Sequence, residues 1–571
     1  MPRIPAMDAA VKILEDEGVD FVFGIPGSNV NAFYNSLSRS KKIKHLIARH
    51  EEGASHAADG WARATGKVGV CVGTSGPAGT NFITGLYAAQ ADSVPIIAIT
   101  GQHIRAMEGK EGFQAMDISV VAKPVTKKTY YVRDPEQIPW VFREAFRVAK
   151  EGRPGPVLID LPIDVQRGEC HFDAEIDSPL AYLTPAPDQR RIERAIQMLL
   201  EAENPVLLMG GGCVISGACE TFVKLAEHLQ IPVVITSMAK GGIPANHPLS
   251  AGEVGIQNNQ LAANKVFLES DLVLGVGCRF ADRHTGSLDV YTKGRRFIHV
   301  DIDPYQIGRI VPCELGIVSD AKLACEALLA SAQAATPRRT ANDRVRRIPE
   351  LRQELARRVD YDQTPIKPMR VYKEINEFFD PDTIFVTCIG NHQIWANQLM
   401  DVYKPGHFLF AGGAGPLGWD LPAAIGVKLA KPDNVVVNVT GDFGFPFCGE
   451  ELAMAVQYNV PIVVIIVNNG YMSLIRQNQK YAYNGLNYEV GLWYNDANLI
   501  DFVKWADAFG AHAERVTNPD LLKAAFRRAV ESNRPAIIDV IVERDTDVAM
   551  GNSIDAIREF EPLPERVPAL R

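Results

Sequence analysis

The sequence predicts an α/β protein made of three doubly wound parallel-sheet domains. Short apolar runs that suit buried strands alternate along the chain with segments of helical periodicity, which is typical of parallel α/β sheets. The length of 571 residues exceeds what one hydrophobic core usually holds and suits about three domains. The strand-like runs are residues 68–72, 95–100, 156–160, 205–209, 233–236, 272–276, 297–300, 383–387, 434–439, 461–467 and 536–542.

Two stretches interrupt this alternation and indicate domain boundaries. Residues 176–188 are rich in proline and turn-forming residues, and residues 337–358 are dense in arginine. Glu350 and Glu354 lie among these arginines at helical spacing, so we interpret the second stretch as a solvated helix and linker with local ion pairs. The predicted domains are 1–175, 189–335 and 365–550, followed by a tail, 551–571.

Composition narrows the classes of function. The chain is 47% hydrophobic and 22% charged, an ordinary globular balance, and its net charge of -9 provides no basic surface for nucleic acid. It has no apolar run of eighteen residues and no signal-peptide pattern at its start. Nine scattered cysteines form no C-x-x-C pair, which favours buried thiols in a reducing compartment. We therefore expect a cytoplasmic protein without a nucleic-acid or membrane partner.

The residues Gly441-Asp442 and Asn469 predict a metal site. Each follows a predicted strand, and Asn469 lies 27 positions after Asp442. The carboxyl ends of parallel strands meet at one edge of a sheet, so a carboxylate and an amide oxygen would lie close together there. Both are ligands that suit Mg²⁺. A Gly-Asp turn or an asparagine pair alone is usually only a turn or a cap, so the order and spacing carry the prediction.

Three loops rich in small residues adjoin predicted strands and helices of the third predicted domain, which also contains Asp442 and Asn469. Small residues let backbone N–H groups approach a phosphate, and helix N-termini favour its negative charge. The loops are residues 389–393, 412–418 and 441–444.

These motifs resemble those of thiamine diphosphate-dependent enzymes. The resemblance covers nearly the whole chain and is strongest to the acetolactate synthase and glyoxylate carboligase branch, on residues 23–27, 74–77, 113–114, 123–127 and 152–157. Within that branch, four stretches are most similar to the glyoxylate carboligase (tartronate-semialdehyde synthase) group: residues 279–287, 306–322, 469–479 and 550–553.

The resemblance implies a pyrimidine-binding first domain, a central FAD-type domain and a third domain that binds the diphosphate and Mg²⁺. Glu51 matches the glutamate that hydrogen-bonds the aminopyrimidine ring, although two acids at a helix start are commonly only partners of the helix dipole. Asp442, Asn469 and the main-chain oxygen of Tyr471 would ligate Mg²⁺, and Leu417 would support the bent cofactor. The other residues expected to contact thiamine diphosphate are Pro26, Gly27, Thr74, Gly390, Asn391, His392, Gly413, Gly415, Gly441, Phe443, Gly444 and Met472.

The middle domain has a weaker signal for a dinucleotide. Glycines after one strand and an acid after another suit phosphates and a ribose, but a tight turn explains a glycine triplet as well. The resemblance implies FAD, held structurally and without net redox chemistry. The expected flavin-lining residues are Arg153, Gly210, Gly211, Gly212, Ser237, Met238, Lys240, Gly277, Arg279, Arg283, Asp301, Ile302, Asp320 and Ala321.

The resemblance further implies that the chain decarboxylates glyoxylate and joins the one-carbon unit to a second glyoxylate, giving tartronate semialdehyde and CO₂. Gln114 and His103 are candidates for orienting the acceptor, although a lone loop histidine is commonly structural. The substrate candidates are Arg283, Leu474, Arg476 and Asn478, and either arginine could instead form a structural pair. We expect at least a homodimer, and more specifically a homotetramer, with each active site shared between subunits.

Several alternatives remain open. Acetolactate synthases carry a tryptophan at the position of Asn478, which argues against acetolactate synthesis from pyruvate. Glyoxylate carboligases carry valine where this chain has Glu51. The chain is therefore a carboligase that kept the usual glutamate, an engineered relative, or a related carboligase that acts on another small aldehyde or 2-oxo acid. An acyl-CoA lyase and a non-enzymatic nucleotide-binding protein are weaker alternatives.

Overall fold

Three six-stranded parallel sheets form the framework of the chain. A computed structural model describes residues 2–494 and 497–563. Each sheet is parallel throughout and has helices on its faces, which confirms the predicted α/β fold with three domains of this kind. The part of the predicted tail after residue 563 lies outside the described residues.

The sheet of the first domain is parallel and almost completely buried. Its strands, in spatial order, are Lys44–Ile47, Phe21–Gly24, Gly69–Gly73, Ile96–Gln102, Val157–Pro162 and Lys128–Tyr131. Every residue of Ile96–Gln102 is buried, as expected for a central strand covered on both faces. The helices are Ala6–Asp16, Asn31–Leu37, Glu51–Thr65, Pro77–Asn81, Ile83–Asp92, Ile118–Val121, Ile138–Lys150 and Ile163–Gln166.

The middle domain repeats this plan with a different strand order. Its strands, in spatial order, are Ser250–Glu253, Val233–Ile235, Pro205–Met209, Leu272–Val276, Arg296–Asp301 and Leu315–Val318. Its helices are Gln189–Glu201, Gly211–Ile215, Cys219–Leu229, Leu261–Leu268, Asp282–Thr285, Leu288–Thr292 and Ala321–Ala335, and two short helices, Asp343–Arg346 and Ile348–Glu354, follow.

The third domain contains the remaining large sheet. Its strands, in spatial order, are Phe408–Phe410, Ile384–Thr387, Val436–Gly441, Val463–Asn468, Ala536–Ile541 and His512–Val516. Its helices are Pro368–Phe378, Asn391–Leu399, Asp420–Ala430, Leu452–Gln457, Ser473–Ala482, Phe502–Phe509 and Leu522–Glu531. Three two-stranded antiparallel ribbons complete the structure: Arg3–Pro5 with Glu169–His171, Trp493–Tyr494 with Ala497–Asn498, and Met550–Gly551 with Ile557–Arg558.

Strand order distinguishes the middle domain from the other two. Numbered along the chain, the strands of the first and third sheets both follow the order 2-1-3-4-6-5. The middle sheet follows 3-2-1-4-5-6, the order of dinucleotide-binding folds. In each sheet the order reverses beside the first strand, and ligands of such sheets bind at that reversal, beyond the carboxyl ends of the strands.

The arginine-rich segment 337–358 differs in part from the expectation. Arg347 pairs with Glu354 at 3.5 Å, as the helical spacing predicts. Two other arginines instead bind within the fold. Arg344 donates to the carbonyl oxygens of Pro205 and Val266, and Arg357 pairs with Glu559. The segment therefore packs on the middle domain. Arg344 and Arg357 donate to backbone carbonyl oxygens of that domain, which a solvated linker would not do.

The cysteines and the helices agree with the composition. All nine cysteines are free thiols, and all except the half-buried Cys313 are buried. Within residues 2–494 and 497–563, no helix is both long enough and apolar enough to cross a bilayer.

Two helices join the first and third domains at very close range. Glu51–Thr65 crosses Asp420–Ala430 at glycines, so that the backbones touch. A Cβ at Gly60 would lie 2.6 Å from the Cα of Ala423, and one at Gly426 would lie 2.8 Å from the amide nitrogen of Trp61. Neither position can hold a side chain without a shift of the helices.

Replacing Gly426 by alanine is therefore expected to destabilise the protein by about 1–3 kcal/mol, the usual cost of overpacking a tight core. Chemical denaturation followed by circular dichroism measures the change. Gly112→Ala serves as the control, because a Cβ there meets its nearest neighbour at an ordinary 3.4 Å. Equal stability of the Gly426 and Gly112 variants would contradict the close crossing.

Candidate active site

The strand-order reversal of the third domain gathers the predicted diphosphate and metal residues. The reversal lies between the strands Ile384–Thr387 and Val436–Gly441. Gly390, Asn391 and His392 follow the first of these strands, and Asp442, Phe443 and Gly444 follow the second. Two segments that are about fifty residues apart in the chain thus meet at one sheet edge.

Asp442 is a buried carboxylate that the backbone holds in place. Its side chain is 4% exposed, and its Oδ2 accepts a hydrogen bond of 2.7 Å from the amide of Gly470. Burial raises the pKa of Asp442 to about 7. A cation bound beside this carboxylate would favour its ionised form and offset the cost of burial.

Asn469 is oriented so that its amide oxygen can act as a ligand. Its Nδ2 donates to Ser473 Oγ at 2.6 Å and to the carbonyl oxygen of Arg544 at 3.3 Å. These bonds use both amide hydrogens, which fixes the side-chain orientation. Its Oδ1 accepts from the amide of Tyr471 at 3.2 Å.

The donor set of Asp442, Asn469 and the Tyr471 carbonyl fits Mg²⁺, which takes a few protein oxygens together with phosphate oxygens. Among the described residues, no cluster of three or more His, Cys, Asp or Glu side chains has the geometry of a metal site. A cation in this part of the chain therefore depends on a mixed set with a single carboxylate.

His392 explains why two of the predicted residues are glycines. A Cβ at Gly390 would lie 2.5 Å from the imidazole Cε1, and one at Gly441 would lie 2.8 Å from Nδ1. The ring is 6% exposed, and burial lowers the pKa of His392 to about 4. The imidazole is therefore neutral near pH 7. Met472 lies three positions after Asn469 and is the N-cap residue of the helix Ser473–Ala482.

The glycine loop, residues 412–418, contacts the first domain as well as the switch point. Its Gly415 and Gly418 have positive φ angles of 61° and 80°, which favour glycine. Leu417 Cδ2 lies 3.6 Å from where a Cβ of Gly444 would be. The amide of Gly413 donates to Asp92 Oδ1 at 2.8 Å, so this N–H is already used and is not available to a phosphate, contrary to the expectation for it.

The first domain gathers its predicted residues at the corresponding reversal. Pro26 and Gly27 follow the strand Phe21–Gly24, and Thr74 follows Gly69–Gly73. A Cβ at Gly27 would lie 2.5 Å from that of Thr74, so these two turns are in direct contact.

Gln114 also reaches this turn of the first domain. It has a φ of 60°, and its Oε1 accepts a 3.5 Å hydrogen bond from Ser75 Oγ. His103 lies in the preceding loop, and its buried Nδ1 has no hydrogen-bond partner among the residues that the structure describes.

Glu51 is the first residue of the helix Glu51–Thr65. Its half-buried carboxylate accepts a 2.8 Å hydrogen bond from Asn81 Nδ2. Asn81 was not predicted as a site residue, because it lies thirty positions away on another helix and no sequence signal links it to Glu51. The position at a helix start also agrees with the helix-dipole alternative.

Residues on both sides of the glycine loop contact the end of this helix that lies opposite Glu51. Arg63, twelve positions after Glu51, donates to the carbonyl oxygen of Phe410 and stacks on Trp419, the residues that flank the loop. At 1.5 Å per residue, about 18 Å of helix separates Glu51 from Arg63.

The glycines of the middle domain are required by backbone packing. Gly210 to Gly212 follow one strand at the reversal, and Gly277 follows its neighbour. A Cβ at Gly210 would lie 2.7 Å from the Cα of Cys278, and one at Gly212 would lie 2.7 Å from the Cα of Gly277. Gly211 packs similarly on Met238. The tight-turn alternative thus explains these residues without a ligand, although their position is that of a dinucleotide site.

Two arginines provide positive charge near this turn. Arg279 Nη2 donates to Asp92 at 3.1 Å, and Arg153 donates to Ser93 Oγ at 2.8 Å. Burial and the charge of Arg279 lower the pKa of Arg153. Arg279 pairs with Asp92, whereas no ion pair within 4.0 Å joins Arg153 to a described carboxylate, so Arg153 has the charge that can accept an anion such as a dinucleotide diphosphate.

Some of the other predicted flavin residues lie near this turn, and others make structural contacts. Asp301 ends the strand Arg296–Asp301, and burial raises its pKa to about 6. Lys240 is a correction, because its ammonium is buried against Glu253 at 2.6 Å and the carbonyl oxygen of Asn397. Asp320 is a second correction, because its carboxylate caps the helix Ala321–Ala335. Of the rest, Ser237 begins the turn with Met238, Ile302 follows Asp301, Ala321 is buried, and Arg283 is exposed.

Arg476 is the main correction among the substrate candidates. Its side chain is 5% exposed, and it pairs with Asp545 at 2.6 Å and with Asp547 at 2.5 Å. Two carboxylates therefore neutralise the charge that a substrate carboxylate would need, which is the structural-pair alternative. Leu474 is half-buried on the same helix, and Asn478 is exposed.

Comparison with known proteins agrees with this arrangement. The chain matches three family profiles: the N-terminal TPP-binding domain of thiamine pyrophosphate enzymes over residues 5–121, the central domain over 192–328, and the C-terminal TPP-binding domain over 388–540.

Several curated relatives span nearly the whole chain. A glyoxylate carboligase of Escherichia coli O157:H7 is 44% identical over 580 residues, covering 99% of this chain and 98% of that protein. A probable acetolactate synthase large subunit of Methanocaldococcus jannaschii is 40% identical and covers 94% of this chain and 91% of its own length. An acetolactate synthase large subunit of Corynebacterium glutamicum is 39% identical, with coverages of 96% and 88%. The chain therefore belongs to the thiamine pyrophosphate (thiamine diphosphate) enzyme family.

Proposed function

We propose that this protein is a thiamine diphosphate-dependent carboligase that decarboxylates glyoxylate and joins the one-carbon unit to a second glyoxylate, forming tartronate semialdehyde and CO₂. The observation that carries the proposal is the 44% identity to a glyoxylate carboligase over 99% of the chain. The carboligase-like stretches of the sequence, including residues 279–287 and 550–553, support the same choice.

The third domain supplies the groups that would hold the cofactor. Asp442, Asn469 and the Tyr471 carbonyl would bind Mg²⁺, and the metal would bind the diphosphate. The turns at Gly390 and Gly444 would let the backbone approach phosphate oxygens. In the glycine loop, the amides of Gly412, Gly413 and Gly415 already donate within the chain, so the loop would contact the cofactor through its other residues. Leu417 would support the bent cofactor. When bound, thiamine diphosphate supplies the stabilisation of a carbanion next to a carbonyl carbon.

Glu51 would hold and move the proton on which this chemistry depends. Its carboxylate is fixed by Asn81 and is half-buried, so it can hydrogen-bond a ring nitrogen in a defined direction. The neutral imidazole of His392 would add a hydrogen bond without adding charge beside the metal site.

The active site would form between two copies of the chain. About 18 Å of the helix Glu51–Thr65 separates Glu51 from Arg63, which contacts Phe410 beside the glycine loop. This separation supports a site that takes Glu51 from one copy of the chain and the metal residues from another. A homodimer related by a two-fold axis would bring Glu51 of one copy to the glycine loop of the other. A homotetramer and a cytoplasmic location remain predictions.

FAD in the middle domain is a further part of the proposal. The strand order and the charge of Arg153 beside Arg279 fit a dinucleotide diphosphate, and Asp301 ends a strand at the carboxyl edge of the sheet, where an acid could bind a ribose. The flavin would be structural, and no residue at this turn is required to exchange electrons.

Fewer side chains can bind the substrate carboxylate than the sequence suggested. Arg476 is paired with Asp545 and Asp547, so the remaining polar candidates among the predicted substrate residues are the exposed Arg283 and Asn478, together with the amide of Gln114. Gln114 lies at the turn of the first domain, against Ser75, where it would meet an acceptor aldehyde.

Acetolactate synthesis from pyruvate is the second candidate. The acetolactate synthases at 39–40% identity support it, as does Glu51, because glyoxylate carboligases carry valine there. Asn478 opposes it, because acetolactate synthases carry tryptophan at that position.

Product analysis tests the substrate. The purified protein, supplied with thiamine diphosphate, Mg²⁺ and FAD, is given glyoxylate or pyruvate in separate reactions. We expect CO₂ and a three-carbon semialdehyde from glyoxylate. Acetolactate from pyruvate with glyoxylate inert would reject the proposal and establish the second candidate.

Glu51→Val is expected to slow proton exchange at C2 of bound thiamine diphosphate by about 10²-fold or more, because a positioned proton acceptor is lost. Rapid-quench exchange monitored by NMR measures the rate. Glu52→Gln is the matched control, since it neutralises the adjacent acid. Equal exchange rates for wild type and Glu51→Val would remove the assigned role of Glu51.

Asp442→Asn is expected to weaken Mg²⁺-dependent binding of thiamine diphosphate at least tenfold, since the only carboxylate of the proposed site is lost. Calorimetric titration with and without a chelator gives the affinities. Asp433→Asn, at an exposed position of the same domain, should bind as wild type does. An unchanged affinity in Asp442→Asn would place the metal elsewhere.

A further inference from the structure

Asp92 lies where the three domains of the chain meet. It ends the helix Ile83–Asp92 of the first domain and is 4% exposed. Its Oδ1 accepts from the amide of Gly413 at 2.8 Å and from Arg279 Nη2 at 3.1 Å, and its Oδ2 accepts from Arg63 Nη2 at 3.1 Å. One carboxylate thus contacts the glycine loop of the third domain, the flavin-type turn of the middle domain and the helix Glu51–Thr65.

Arg63 continues these contacts along the glycine loop. Its side chain is 6% exposed and donates to the carbonyl oxygen of Phe410, just before the loop, at 3.1 Å. Its guanidinium lies 4.9 Å from the ring centroid of Trp419, just after the loop. Arg63 and Asp92 therefore contact the chain just before the glycine loop, within the loop and just after it.

The space around Gly413 leaves little freedom for the loop at this point. A Cβ there would lie 2.7 Å from Asp92 Oδ1, 2.7 Å from Arg279 Nη2 and 3.0 Å from the Cβ of Ala91. The bond from Gly413 to Asp92 is charge-assisted and shielded from water, which makes it stronger than an ordinary turn hydrogen bond.

The charges of the group balance. Asp59 Oδ1 accepts from Arg63 Nε at 2.5 Å, so two carboxylates face Arg63 and Arg279. Asp59 contacts the same arginine as Asp92, but its hydrogen bonds among the described residues reach Arg63 and not the loop. The two acids therefore differ in one respect that can be tested: only Asp92 bonds to the loop that would hold the diphosphate.

We propose that Asp92 is a positioning residue for the active site, which fixes the glycine loop in the conformation that accepts the diphosphate and links that loop to the middle domain through Arg279. This inference rests on the proposed function. Asp92 does not touch the cofactor or the substrate. It acts by holding the Gly413 amide, so that the neighbouring backbone of the loop stays oriented toward the switch point.

Hydrogen exchange on the cofactor-free protein tests the bond to the loop. Peptides that cover residues 411–418 are compared by mass spectrometry in wild type, Asp92→Asn and Asp59→Asn. We expect these amides to exchange about tenfold faster in Asp92→Asn and at the wild-type rate in Asp59→Asn, since only the first removes the charge that strengthens the bond to the loop. Equal exchange in both variants overturns the inference.

Calorimetric titration with thiamine diphosphate at saturating Mg²⁺ tests the consequence for binding. We expect the Kd to rise about tenfold or more in Asp92→Asn, with kcat at saturating cofactor within about threefold of wild type, and Asp59→Asn to remain within about twofold in both. Equal rises in Kd for both variants would mean that Asp92 acts only through charge balance, and this too overturns the inference.

A second variant and the cofactor binding of the wild type distinguish failure of this inference from failure of the proposed function. If Asp92→Asn does not fold, Asp92→Glu replaces it, since glutamate keeps the charge but its longer side chain cannot keep the bonds to Gly413, Arg279 and Arg63 in the same geometry. Faster exchange of the loop and weaker cofactor binding are again expected, and wild-type values overturn the inference. If wild type itself binds no thiamine diphosphate, the proposed function fails. If wild type binds it and Asp92→Asn binds equally well, only the present inference fails.

Discussion

The close crossing of the helices Glu51–Thr65 and Asp420–Ala430 is the constraint on which the arrangement of the first and third domains depends. Gly60 and Gly426 let the two backbones touch, and a side chain at either position has no space. Packing at this distance fixes both the separation and the direction of the helices. It also places Arg63, which contacts Phe410 and Trp419 on either side of the glycine loop, at the end of its helix opposite Glu51.

Buried charges accompany this crossing. Arg63, Asp59 and Asp92 are almost completely removed from water, and such groups contribute little net stability because their desolvation is costly. Their contacts instead define geometry. Through Phe410, Gly413 and Trp419, Arg63 and Asp92 determine where the glycine loop lies relative to the first domain, and through Arg279 Asp92 connects it with the middle domain. A loop without its own secondary structure is thereby held by neighbouring domains.

Each of the three sheets brings some of its predicted residues to a reversal of strand order, although only the middle sheet has the order of dinucleotide-binding folds. The thiamine pyrophosphate family profiles match all three domains, so membership of the family does not discriminate between the two candidate reactions. The sequence features that bear on the reaction point in different directions. The chain combines carboligase-like stretches and Asn478 with the glutamate that most thiamine enzymes carry at the position of Glu51.

The sequence by itself determined the fold class and the family, because strand and helix periodicity are local and the Asp442 and Asn469 motif lies within one domain. It also indicated which loops belong to the sheet edges. The tertiary structure decided the state of individual charged side chains. The charged groups of three predicted site residues are already paired within the fold. Arg476 pairs with Asp545 and Asp547, Lys240 pairs with Glu253, and Asp320 caps a helix N-terminus. Asn81 beside Glu51 and Asp92 beside Gly413 could not be predicted, because their partners are distant in the chain and only packing brings them together.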